Sequence, residues 1–244
     1  MFVSSANIIT TGTGLVSPQF VAASSKRMTR TFGANPTTRT KCGFSFWTRR
    51  PTSVAPQVIF AGYDGSSASS SRLEYNASFP TRIGLIDSAG AGLMTTDTAM
   101  GANPTLWHHV VFSYDSTQAS SFDRVKAWAN NVFQNLGVVA SPGAPTLNML
   151  HQFCMNNANN RIGAEYNDTK FLGAYLRDFH FIDGLTVTPG QFGVDVSGTW
   201  TAITYAGSYG TNGFKLALGE TNVTLATLGS DVSGNINNWT PVNF

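Results

Sequence analysis

No stretch of a dozen residues in this chain keeps a helical apolar period without Gly or Pro interrupting it. What recurs instead is a short run of alternating polar and apolar residues closed by a Gly/Asn/Ser/Pro cluster, the pattern of strands joined by turns. Arg72-Leu73-Glu74-Tyr75-Asn76-Ala77-Ser78-Phe79 alternates without error and predicts a strand with one wet and one buried face. Gly43-Phe44-Ser45-Phe46-Trp47 puts both phenylalanines on one side. Gln57-Val58-Ile59-Phe60-Ala61-Gly62 is a continuous apolar run, suited to burial on both faces. The run from Trp107 to Asp115 is rich in β-branched and aromatic residues. Residues 124–129 and Val132-Phe133 flank Asn130-Asn131, and Asn tolerates the positive φ that a two-residue hairpin turn requires. Two later strands are predicted at residues 171–182 and 214–218, with Thr188-Pro189 opening one helical turn between them. The whole reads as an all-β, two-sheet antiparallel sandwich over residues 17–244 with minimal helix. A Ser/Thr/Gly-rich extended arm precedes it at residues 1–16, and residues 66–71 form a Ser-rich loop tip.

A β-sandwich of 244 residues is large enough to fold without disulfide or metal, and 17 Phe and 5 Trp can supply its core. Trp47, Trp107 and Trp128 are the expected anchors, with Trp107→Ala costing about 3–5 kcal/mol. Charged residues make up only 11%, under half of the roughly 25% of an average soluble domain. The net charge is +2, with no basic run longer than Arg49-Arg50, so a nucleic-acid footprint is absent. A surface of Ser, Thr, Asn and Gly suits packing into an assembly. Cys42 and Cys154 have no C-x-x-C spacing, which excludes a zinc or redox motif. They read as free buried thiols of a protein made in a reducing cytoplasm, a disulfide between them being the alternative. The first residues lack the charged n-region of a signal peptide, and no apolar run reaches membrane-spanning length. The N-x-S/T sequons at Asn76, Asn167, Asn222 and Asn238 read as chance in an Asn/Thr-rich chain.

The order of segments carries a resemblance. The run from Arg39 through Arg50, then residues 57–62 and 107–115, resembles laminin G-like, concanavalin A-like jelly-roll domains. The C-terminal half is more specific. Phe179-His180-Phe181-Ile182-Asp183-Gly184, Thr188-Pro189 with Phe192-Gly193, the run from Tyr205 to Phe214, and Asp231-Val232-Ser233-Gly234-Asn235 with Asn238-Trp239-Thr240 follow in order. That string is similar to a subfamily of such domains in virion proteins of tailed bacteriophages, over about residue 20 to the C-terminus. Asn130-Asn131 stands where those relatives usually carry Asn-Gly.

The resemblance implies a non-enzymatic virion structural protein: a tail, fibre or capsid-decoration component. It would be made in the host cytoplasm, form a homo-oligomer with other virion proteins around it, and contact bacterial surface polysaccharide through loops or a sheet face. A dedicated glycan-binding adhesin is the alternative, and a glycoside hydrolase the third reading. Retaining hydrolysis needs two carboxyl groups about 5 Å apart. The chain has three Glu (Glu74, Glu165, Glu220), and only Glu165 has a near carboxylate, Asp168, which a strand would turn to the opposite face.

Other constellations are weighed singly. Neighbours His108 and His109 would face opposite ways, one core-side and one outside. His180 would face away from Phe179 and Phe181, and His151 has no acidic neighbour. Tyr205, Tyr209 and Asn212 combine aromatic faces with an amide, as a ligand site would, or else fill the end of the sandwich. Calcium would take Asp231, Ser233 and Asn235, or Asn167 and Asp168. Carboxylates are sparse for six to eight oxygens, so an Asx-type turn is favoured and no cofactor is expected.

Overall fold

The computed structural model describes residues 19–50, 56–63, 70–76, 82–87, 91–95, 105–138, 143–219 and 224–244. The arm expected at residues 1–16, most of the Ser-rich loop, Glu220 and Asn222 lie outside the described residues. In chain order the first strands are β1 (Arg27–Arg30), β2 (Lys41–Arg49), β3 (Gln57–Tyr63), β4 (Ser70–Tyr75), β5 (Ile83–Asp87) and β6 (Ala91–Thr95). Next come β7 (His108–Asp115), β8 (Val125–Ala129), β9 (Val132–Gln134), β10 (Gly137–Val138) and β11 (Asn160–Ile162). The last are β12 (Tyr175–Asp183), β13 (Gly193–Val196), β14 (Thr199–Ala202), β15 (Phe214–Leu216) and β16 (Thr240–Val242). Single 3-10 turns at Ala22–Ser24, Ser121–Asp123 and Pro189–Gln191 are the helical elements among the described residues. None is long or apolar enough to cross a membrane.

The strands form two antiparallel sheets, ordered β10-β6-β5-β4-β3-β11-β1-β16 and β15-β12-β2-β7-β8-β9, with β13 and β14 as a separate hairpin. Strand β2 sets the register of the six-stranded sheet. Phe44 pairs with Phe112 of β7 and Phe181 of β12, while Ser45 pairs with Val111 and His180. Period-two alternation therefore sends Phe44, Phe46, Val110, Phe112, Phe179 and Phe181 inward, all buried. There Phe60 stacks on Phe153 at 5.2 Å, Phe46 stacks on Phe179 at 5.3 Å, and Phe44 meets Phe153 edge-on at 4.9 Å. Each such side chain contributes roughly 1.5–3 kcal/mol when taken fully out of water, so this layer dominates the stability.

Several expectations hold. The β8–β9 hairpin turns on Asn130 and Asn131 at φ 47° and 65°, and β3 is buried on both faces as far as Gly62. Pro189 opens one 3-10 turn, with the Gln191 side chain accepting from the Thr188 N–H at 2.7 Å. Cys42 and Cys154 are separate, buried thiols. Others are corrected. The later strands are shorter than predicted, β12 starting at Tyr175 and β15 ending at Leu216. The polar face of β4 is not wet: Glu74 is 3% exposed and held by Arg72 at 2.8 Å. Of the tryptophans expected as core anchors, Trp47 is buried at 3% exposed and the other two are not. Trp107 is half-buried beside the Arg49 guanidinium, and Trp47 and Trp128 have the parity of Ser45 and Val111, which is outward. Trp239 is the tryptophan of the inter-sheet core, 5.0 Å from Phe214.

Candidate functional site

The outward face of the six-stranded sheet is as buried as the inward one along β2 and β7, because the chain between Gly184 and Gly213 folds back across it. Gly43 makes the seat. A Cβ there would lie 2.6 Å from both methyls of Val187, so only glycine lets that segment lie flat on β2. Val187 then joins Val111, Ile182, Phe192, Tyr205 and Tyr209 in a second apolar cluster, against which Trp128 packs. Phe192 stacks on Tyr205 at 4.8 Å, and the β13–β14 hairpin brings Trp200 onto His109. At the far end Gly210 takes φ +71° with the Asp183 carbonyl beneath it, where a Cβ would sit at 2.2 Å.

The two sets of residues picked out for ligand and metal meet in one hydrogen-bonded seam that closes this flap. Asn212, 3% exposed, donates from Nδ2 to the carbonyls of Ala34 and Cys154, and its N–H donates to Asp183. The Tyr205 hydroxyl donates to the Ser208 carbonyl. The Asp231 carboxylate accepts from the N–H groups of Lys215, Ser233 and Asn237 and from the Ser233 hydroxyl. Asn235 donates to the carbonyls of Gly210 and Gly213. With Asp231 filled in this way, the segment is an Asx-type turn, and no group of three or more His, Cys, Asp or Glu is placed to hold a metal among the described residues. Asn167 accepts from the Thr169 hydroxyl. Asp168 and Glu165 lie in a turn rather than on a strand, and each faces its own cations: Arg27 and Arg161 for Asp168, Arg72 and Lys170 for Glu165.

The flap divides the outward face into two clefts. The first, about 310 Å³, lies beside Trp128 and is lined by Ser113, Asp115, Gln118, Asp123, Lys126 and the Thr186–Thr188 edge of the flap. Trp128 is half-buried and braced edge-on by Phe133 at 5.8 Å. The Asp115 carboxyl is held below its usual range: burial opposes this, but hydrogen bonds from Thr117 and Gln118 and the nearby Lys41 outweigh it. It stays ionised at neutral pH, and Asp123 beside Lys126 is open to solvent.

The second cleft, about 230 Å³, lies under the β13–β14 hairpin and is lined by Ser45, Trp47, His109, His180, Arg177, Asp178 and Lys215 among others. The Trp200 indole N–H donates to His109 Nδ1 at 2.9 Å, and Ser45 Oγ lies 2.8 Å from Nε2. An indole can only donate, so the proton of this neutral imidazole is assigned to Nε2 and points at Ser45. A Ser–His pair in a hydrolase needs the reverse, with Nε2 free to take the serine proton. Burial pushes His109 down to about 3, and burial with Lys215 and His109 nearby pushes His180 down to about 3. The His180 Nδ1 lies 2.8 Å from the Tyr209 hydroxyl. Parity assigns His108 to the core side and His109 to the outside, yet His109 is only 1% exposed because the flap covers it. His151 is buried against Tyr114 and Phe153, and burial lowers it to about 4.

Neither cleft was assigned from the sequence. The usable signal was the row of outward residues opposite each core phenylalanine, Ser45, Trp47, His109 and His180, which are too polar for a second core and too apolar for open solvent.

No protein-family model and no curated protein sequence matches the chain. Among solved structures, a protein of Bacteroides ovatus to which carbohydrate binding has been ascribed superposes with a TM-score of 0.56 at 12% identity, over 92% of this chain. This chain spans 57% of that structure's length. Domains LG4-5 of the mouse laminin alpha1 chain give a TM-score of 0.48 at 11% identity, over 72% of this chain and 45% of theirs. At such identities the likeness is one of fold alone: a two-sheet antiparallel jelly-roll sandwich.

Proposed function

We propose that the chain is a glycan-binding module that uses the cleft beside Trp128. The observation that carries this reading is a half-buried aromatic ring lining a cleft with ionised Asp115, solvent-open Asp123 and Lys126, and exposed threonines. A ring face offers apolar contact to the C–H side of a sugar, while carboxylates and hydroxyls take its hydroxyl groups, the mixture that small-ligand sites use. The Bacteroides ovatus structure, with its ascribed carbohydrate binding, supports the reading at the level of fold. A binding rather than hydrolytic role agrees with the carboxylates each being neutralised by separate cations and with His109 carrying its proton towards Ser45.

The setting we assign, a bacteriophage particle displaying the domain as a homo-oligomer, rests on the ordered sequence motifs between Phe179 and Thr240 alone. The test is polysaccharide binding by the isolated chain, measured by affinity electrophoresis or calorimetry against bacterial surface glycans. Trp128→Ala should weaken binding at least about tenfold, the loss of roughly 1.4 kcal/mol of ring contact. Unchanged retention of every glycan by this variant would remove Trp128 from the site.

A further inference from the structure

The floor of the second cleft presents hydrogen-bond donors. Two relays converge there, and both begin on the flap. In one, Trp200 Nε1–H donates to His109 Nδ1, and His109 Nε2–H donates to Ser45 Oγ. Among the described residues Ser45 Oγ has no other partner, which leaves its own O–H for the cleft that it lines. In the other, the Tyr209 hydroxyl has His180 Nδ1 as its one side-chain partner among the described residues. By donating there it leaves the proton of His180 on Nε2, which has no hydrogen-bond partner among the described residues, and His180 lines the same cleft. His180 is 5% exposed and Ser45 1%, so both are largely buried residues that line one space. Donors aligned in series polarise one another, which strengthens the terminal ones.

The rim adds charge. Arg177 lies 3.2 Å and Lys215 3.8 Å from the Asp178 carboxylate, so two cations and an anion stand at the mouth. The Asp178 carboxylate also faces the cleft and would repel an anion placed on its side. The space of about 230 Å³ is below the roughly 300 Å³ at which drug-sized pockets begin, so it takes a group of one-ring size.

We infer that this cleft binds the carboxylate of an acidic sugar residue, a uronic acid, through Ser45 Oγ–H and His180 Nε2–H, with Lys215 and Arg177 supplying the field. The identity of the ring rests on the glycan-binding reading above; the anion recognition does not. Because the donors are neutral imidazole and hydroxyl groups, binding should be flat from pH 8 down to about 5.5. A site that depended on charged histidine would instead fade as pH rises through about 6.5.

The experiment uses the full chain, glucuronate and its uncharged counterpart glucose. Glucuronate should shift the His180 side-chain nitrogen resonances in NMR, with millimolar affinity, and glucose at the same concentration should not. Ser45→Ala should weaken glucuronate about tenfold, the loss of one hydrogen bond to a charged group. Lys215→Gln should weaken it about threefold and flatten its salt dependence. Equal shifts with glucose, affinity that disappears above pH 6.5, or two variants as tight as the parent would overturn the inference. Trp128→Ala separates the two readings. Polysaccharide binding lost with the glucuronate shift kept leaves both standing. Polysaccharide bound by the parent chain without any glucuronate shift defeats this inference alone, and a glucuronate shift without polysaccharide binding defeats the Trp128 reading alone.

Discussion

The six-stranded sheet has two faces built from the same strands by opposite means. Inward, Phe44, Phe46, Phe112, Phe179 and Phe181 pack against the second sheet through area and shape, with no direction to satisfy. Outward, Ser45, His109 and His180 are sealed under a flap whose donors, Trp200 and Tyr209, must meet particular nitrogen atoms. The first face can lose one contact and keep its neighbours. The second holds its polar groups only while each proton stays where it is, so the two should fail under different insults.

The largest effect belongs to the inner face. Phe60 touches Phe44, Phe153, Phe179, Phe181, Phe214 and Trp239. Phe60→Ala should cost about 3–5 kcal/mol, chiefly from the cavity it leaves. Urea unfolding would show this as a lower midpoint at an unchanged slope. A loss below about 1 kcal/mol would mean that the inner layer is not the dominant one.

Next comes the seat of the flap. Gly43→Ala pushes a methyl group into Val187 and should cost about 1–3 kcal/mol as overpacking. The strain should appear on one side only, as faster amide exchange in residues 185–213 with the exchange of β3 and β12 unchanged. Uniform acceleration across both sheets would erase the distinction between the faces.

Acid is the gentlest probe and the most selective. The folded values of His109 and His180, both about 3, lie below the unfolded value of about 6.5. The unfolded chain therefore binds more protons in this window. The stability these neutral imidazoles confer is full above about pH 6.5 and is lost as pH falls towards about 3. The slope is up to about 1.4 kcal/mol per pH unit for each. Protonation at Nδ1 would set the His109 imidazolium against the Trp200 indole, donor to donor. The flap should thus loosen before the core does, read as a change in Trp fluorescence between pH 6 and 4 ahead of the loss of far-UV signal. His151, lowered to about 4, adds to the core transition and not to the flap. Simultaneous loss of both signals would show the flap and the sandwich to be one cooperative unit.

Much of the inner face was legible in advance. Gly43-Phe44-Ser45-Phe46-Trp47 already separates its phenylalanines from its polar residue, and Asn130-Asn131 already marks its hairpin. The errors fall where distant segments cover one another. Glu74 reads as a wet residue by alternation, but it is buried and held by Arg72. Tyr205, Tyr209 and Asn212 read either as a composite ligand surface or as filling for the end of the sandwich; Tyr209 turns inward to His180, and Asn212 ties the flap to Ala34 and Cys154. They adjoin the second cleft without forming it.

Strand, turn and face are properties of a few neighbouring residues, since a side chain's side of a strand follows from its parity alone; these the amino-acid order decided by itself. Whether an outward face meets water or another layer depends on contacts such as Gly43 with Val187, made between segments 144 positions apart in the chain, with no local signature. Both clefts owe their walls to that second layer, which is why only the tertiary structure could decide them.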